Sequence, residues 1–137
     1  MNIVRKLQNE PNLTVLIIID KLYREDTIEM NKSNKFAWTW KIKPECIEEY
    51  VQMHQNPWRE ILDEHSKANI KNYSIFQNGN QFFYCFECDD AEAAFKYLNQ
   101  SEICKKWNSI TSTMVEGSFD LGDSNTIIPL NEVFYLK

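Results

Sequence analysis

His54 and Tyr50 lie one helical turn apart, in the run Glu49-Tyr50-Val51-Gln52-Met53-His54-Gln55-Asn56-Pro57-Trp58. Ile47, Tyr50, Val51 and His54 fall at i, i+3, i+4 and i+7, the inward stripe of an amphipathic helix. That spacing turns an imidazole toward the protein interior with a phenol beside it. Imidazole titrates near neutral pH, so a ring shielded from bulk water can carry a proton between reacting atoms. The competing role for a lone histidine on an apolar face is that of a hydrogen-bonded core residue. Asn72, Tyr73, Trp107 and Asn108 add aromatic faces and amides further along the chain. Indole and phenol rings stack on the C–H face of a pyranose, while hydroxyls and amides bond its OH groups, so this set suits a sugar. Each aromatic has core packing as its alternative, Trp107 above all, because it sits on an apolar helix stripe.

Other chemistries find less support. His54 and His65 are eleven residues apart with Pro57 between them, which gives no zinc-binding spacing. Cys85-Phe-Glu-Cys88 is formally C-x-x-C, but its surroundings read as a strand, where residues three apart point to opposite faces. That suits neither a metal knuckle nor a redox pair at a helix start, and the four cysteines are expected to be reduced thiols. Glu48-Glu49 reads as surface charge. The chain has three glycines and no Gly-rich phosphate loop, and its net charge of −5 disfavours nucleic acid or an anionic membrane as partner. The longest apolar run, Leu13 to Ile19, is too short to span a bilayer. Asp20, Lys21, Arg24, Glu25 and Asp26 follow it where a signal peptide would place small residues. The expectation is a soluble, cytoplasmic protein.

The elements that must hold these residues can be read in order. Residues 1–30 look like an N-terminal extension, with the main domain at 31–137. Phe36 to Ile42 alternates as a strand, and Pro44 suits a first helical turn. The helix carrying His54 meets Pro57, which should break or kink it, and a second segment runs on from Trp58. Ile70 to Phe76 and Gln81 to Cys88 read as strands about the hairpin signal Asn78-Gly79. Asp89 or Asp90 can cap a helix through Leu98, and Ser101 another whose inward stripe is Ile103, Trp107, Ile110 and Met114. Glu132 to Leu136 is expected to close as a fourth strand. The order strand, helix, strand, strand, helix, strand is that of an α+β, ferredoxin-like fold, a four-stranded antiparallel sheet with helices on one face. Strand three is apolar or aromatic from Phe82 through Phe86, so a second subunit is expected to cover the open sheet face in a homodimer.

From Phe36 to the C-terminus the chain resembles the L-rhamnose mutarotases. The matching segments are Pro44-Glu-Cys-Ile-Glu-Glu-Tyr50, His54-Gln-Asn-Pro-Trp58, Asn72-Tyr-Ser-Ile-Phe76, Cys104-Lys-Lys-Trp107 and Asn131-Glu-Val-Phe-Tyr-Leu136. The resemblance implies a dimeric α/β-barrel type of this fold, no cofactor and no metal, and interconversion of the α and β anomers of a deoxy-hexose. It places the proton-donating histidine on His54, the substrate-binding tyrosines on Tyr50 and Tyr73, and a tryptophan pair on Trp107 and Asn108. Asn108 departs from that pair, and Gln55 separates His54 from the Asn-Pro that usually follows at once. The first implied sugar is L-rhamnose, with L-fucose as a relative. In that mechanism His54 carries the proton at the ring oxygen, Tyr50 or Tyr73 orients the sugar, either phenol or a water handles the anomeric hydroxyl, and Trp107 forms a wall. A cofactor-free oxygenase on the same fold, or a non-catalytic sugar-binding module, would use the same pocket differently.

Overall fold

A computed structural model of the chain describes residues 34–117 and 127–137. Asn34–Asn131 forms one compact unit, and Glu132–Lys137 lies outside it. The expected extension over residues 1–30, its boundary, and Gly122 of the loose C-terminal stretch lie outside the described residues. The elements in order are β1 (Lys35–Lys41), α1 (Ile47–Gln55), α2 (Arg59–Lys67), β2 (Lys71–Asn78), β3 (Gln81–Glu87), α3 (Ala91–Gln100) and α4 (Glu102–Thr111). This is a mixed α/β arrangement in which one pair of short helices connects β1 to β2 and a second pair follows β3.

Local sequence explains the breaks. Pro44 opens a 3₁₀ turn that leads into α1. Pro57 has no N–H to continue the helix and disfavours helical backbone at Asn56, so α1 ends there. Trp58 is extended, and α2 begins afresh at Arg59. The Asp90 carboxylate accepts a hydrogen bond from the Ala93 N–H at 2.9 Å and caps α3. The Ser101 hydroxyl accepts one from Cys104 N–H and caps α4.

The three strands run antiparallel in the order β1-β3-β2. Registers place Phe36 opposite Phe86, Trp38 opposite Tyr84 and Trp40 opposite Phe82 across β1 and β3. These pairs share the inner face, which the helices cover with Tyr50, Ile61, Leu98 and Trp107. Phe82, Tyr84 and Phe86 are almost wholly buried. The other face carries Phe76 opposite Phe83, both exposed. Gly79 and Asn80 form the two-residue hairpin loop, one position later than the Asn78-Gly79 signal. Gly79 has φ +61 at the first loop position, where a type II′ turn requires a residue that tolerates left-handed backbone. A bulge inserts one residue in β2, because Lys71 pairs with Glu87 while Ser74 pairs with Cys85. Asn72 occupies it with φ 49, and its side-chain amide donates to the Glu87 carboxylate at 2.9 Å. Tyr73 stays in phase with Ile75 on the inner face.

The expected fourth strand is the main correction. Among the described residues the sheet has three strands, and Glu132 to Leu136 is not one of them. The outer edge of β1 explains why. Leu130 donates a backbone bond to Ala37 at 2.7 Å, while residues 114–116 take the far end through Lys43 N–H to Met114 O and Glu116 N–H to Lys41 O. A strand needs a continuous ladder, and that edge is shared between two segments. In the separate C-terminal piece, Val133, Phe134 and Leu136 are exposed.

Candidate active site

Between the inner sheet face and the helices lies a cavity of about 630 Å³. Its volume falls in the range of small-molecule sites. His54, Tyr50, Tyr73, Trp107 and Asn108, the five residues to which the family resemblance assigns roles, all line it. The structure therefore brings together residues from α1, β2 and α4.

His54 stands in the last turn of α1, half-buried, with its ring 4.2 Å from that of Tyr50 and 5.4 Å from that of Trp107. Its Nδ1 lies 2.7 Å from the Tyr50 carbonyl oxygen. A carbonyl only accepts, so Nδ1 carries the hydrogen and the neutral ring presents a bare Nε2. Burial holds the imidazole below its ordinary value near 6.5, against the smaller upward pull of that carbonyl bond. At neutral pH the ring is thus an acceptor, able to take a proton. Trp107 is buried, with its indole edge-on to Trp58 at 5.1 Å, which fixes the wall beside His54.

Behind Tyr50 stands a network that the sequence reading missed. The Tyr50 and Tyr84 hydroxyls are 2.6 Å apart, and Trp40 Nε1 donates to the Tyr84 hydroxyl oxygen at 2.6 Å. An indole N–H can only donate, so Trp40 sets one end of the chain and one phenol donates to the other. Burial pushes the Tyr50 phenol up to about 12, although its bonds to Tyr84 and Trp40 pull the other way. Burial also raises Tyr84 and Tyr73 well above the ordinary phenol value, helped in each case by the charge Tyr50 would carry if ionised. All three phenols keep their protons at neutral pH and can donate hydrogen bonds.

Tyr73 is half-buried, stacked on Phe86 at 5.4 Å and edge-on to Trp38 at 6.1 Å. Trp38 lies flat on Tyr84 with centroids 4.6 Å apart, and its buried indole N–H has no hydrogen-bond partner among the described residues. Asn108, half-buried one residue beyond Trp107, adds an amide to the lining. Asn72 lines the cavity too, though its amide is committed to Glu87. His65, which falls on one helical face with Trp58, Ile61 and Leu62 and has no zinc-binding spacing to His54, also lines it. Period-two alternation in β1 and β3 was the signal for Trp38, Trp40 and Tyr84, since it puts all three on one face. Among the described residues no group of three or more His, Cys, Asp or Glu side chains could hold a metal ion, and all four cysteines are unbridged.

The sequence profile for L-rhamnose mutarotase matches residues 35–136. A protein from Lactiplantibacillus plantarum described as L-rhamnose mutarotase is 34% identical over 95 residues, covering 67% of this chain and 88% of its own length. One of the same description from Shouchella clausii is 31% identical over 103 residues, covering 73% of this chain and 95% of its own. The crystal structure of an L-rhamnose mutarotase from Formosa agariphila superposes with a TM-score of 0.61 at 26% identity, over 77% of this chain and all of that one. With a matched span that takes in the sheet, both helix pairs and every residue lining the cavity, this chain belongs to the L-rhamnose mutarotase family.

Proposed function

We propose that the protein is an isomerase that interconverts the α and β anomers of L-rhamnose by acid–base ring opening. The observation that carries the reading is His54 Nε2, a neutral acceptor beside the protonated Tyr50 phenol in a cavity that Tyr73 and Tyr84 also line. Ring opening removes a proton from the anomeric hydroxyl and supplies one to the ring oxygen. Both oxygens sit on the same carbon, so one imidazole reaches both. Nε2 takes the anomeric proton, and the imidazolium delivers it to the ring oxygen as the C–O bond breaks. Rotation of the aldehyde turns its other face to that hydroxyl, and closure runs the two transfers backward, leaving His54 neutral again. Tyr50, backed by Tyr84 and Trp40, donates to a sugar oxygen and holds the ring in register. Tyr73 and Trp107 supply stacking faces, and Asn108 hydrogen-bonds a hydroxyl.

Anomer exchange measured by NMR saturation transfer tests this, with L-rhamnose, L-fucose and their D counterparts. Faster exchange of L-rhamnose than in buffer is expected. Binding of the sugar without faster exchange would make the protein a binding module instead.

The exposed Phe76 and Phe83, directly opposite each other on the outer sheet face, support a homodimer that buries this face and completes the ferredoxin-like, dimeric α/β-barrel arrangement. Sedimentation at micromolar concentration should give twice the chain's mass, and Phe83→Glu should give the single chain. A wild-type monomer under those conditions would refute the dimer. The four unbridged thiols fit a reducing, cytoplasmic setting. No helix among the described residues is long and apolar enough to cross a membrane.

A further inference from the structure

The geometry points to His65 as a second sugar-contacting residue, which selects among sugars by accepting a hydrogen bond from a ring hydroxyl away from the anomeric carbon. This deepens the mutarotase reading and rests on it. His65 stands in the last turn of α2, half-buried, and lines the same cavity as His54. Its Nδ1 lies 2.7 Å from the Ile61 carbonyl oxygen, the same link to the preceding helical turn that His54 makes. A carbonyl only accepts, so the bond fixes the tautomer with the hydrogen on Nδ1 and the lone pair on Nε2, which is left as an acceptor. Packing and helix termination use the ring and Nδ1, and neither uses Nε2.

The place of His65 in the wall determines what it meets. Its ring is edge-on to Tyr73 at 5.9 Å. From Tyr73 the wall continues through Trp38 to Tyr84, whose hydroxyl reaches Tyr50 and so His54. The two histidines therefore terminate one continuous aromatic wall, each beside a protonated phenol. The reaction occurs at a single carbon, which His54 already serves. A pyranose laid along this wall with its anomeric carbon at His54 would point its ring hydroxyls toward the His65 end. Every sugar hydroxyl is a donor, and Nε2 of His65 is an acceptor with no described partner. Trp38, whose indole N–H also lacks a hydrogen-bond partner among the described residues, stands between them.

The test titrates wild type, His65→Leu and His65→Gln with L-rhamnose and its 2-, 3- and 4-deoxy analogues, with exchange rates measured alongside. In His65→Leu both Kd and KM for L-rhamnose should rise about tenfold, the effect of one lost hydrogen bond, while kcat stays within about twofold. His65→Gln, which retains an acceptor, should recover most of the affinity. One deoxy analogue should bind wild type about tenfold more weakly than L-rhamnose and show no such deficit with His65→Leu. Unchanged Kd in His65→Leu, deoxy penalties that persist in it, or a fall in kcat at constant KM would each overturn the assignment. Wild type that binds L-rhamnose without faster exchange overturns the mutarotase reading, and the Kd comparison then judges His65 alone. Wild type that binds no sugar overturns both.

Discussion

His54→Gln is expected to lower the catalysed rate of L-rhamnose anomer exchange by about 10²–10⁴-fold, the usual contribution of a positioned acid–base group. Glutamine keeps much of the volume and an N–H for the Tyr50 carbonyl, so α1 and the contact with Trp107 should survive. What it removes is the basic Nε2, and with it the carrier between the anomeric hydroxyl and the ring oxygen. The KM should move little, because Tyr50, Tyr73 and Trp107 still bind the sugar. A folded His54→Gln protein with wild-type exchange would show that the proton travels by another route, with the phenols or water as the remaining carriers.

The same residue sets the acid side of the pH profile. Activity requires neutral His54, and burial holds its folded value below 6.5. Exchange should therefore persist as pH is lowered past 6.5 and fall only at the lower value where the buried ring takes a proton. Stability shifts in the same window. Between the two values the unfolded chain binds a proton that the folded one refuses, so the folded state is favoured above about 6.5 and loses ground as pH falls through the window. His54→Gln should flatten that dependence, which urea unfolding at several pH values between 7.5 and 5 would detect.

How far the site could be read from sequence depended on whether a residue's surroundings are local. His54 and Tyr50 share one helix, and a stripe repeating every three to four residues sufficed to place them together. Pro57, Asp90 and Ser101 act on their immediate neighbours, and each marks an observed helix boundary. Tyr84 and Trp40 were different. Alternation puts each on a face of its own strand, but their hydrogen bond spans 44 positions and depends on the register between β1 and β3, two strands that no short loop joins. His65 falls on one helical face with Trp58, Ile61 and Leu62, but its ring contact is with Tyr73, which β2 brings beside it, and the sequence of α2 alone does not show that. The fourth strand failed for a related reason. The composition of Glu132 to Leu136 is β-prone, but a strand exists only with a ladder partner, and local composition does not reveal who holds the edge of β1.

Phe86→Ala should have the largest effect on stability, a loss of about 3–5 kcal/mol. Phe86 is 1% exposed at the centre of the inner face. Its ring lies 5.4 Å from Phe36, 6.0 Å from Trp38, 5.4 Å from Tyr73 and 5.8 Å from Phe95. Truncation removes the buried area and leaves a cavity that these rigid rings cannot readily fill. Domains of this size have about 5–15 kcal/mol in total, so the variant should approach the edge of folding, with Tm lower by roughly 10–20 °C. Phe86→Leu keeps most of the apolar volume and should lose less than half as much. The effect should also reach the sugar, because Phe86 supports both Tyr73 and Trp38. At a temperature where Phe86→Ala is still folded, its KM for L-rhamnose should rise, whereas His54→Gln should change kcat alone. Denaturant unfolding decides the first point, and a loss under about 1 kcal/mol would mean the ring cluster relaxes around the gap and is not what holds the wall in place.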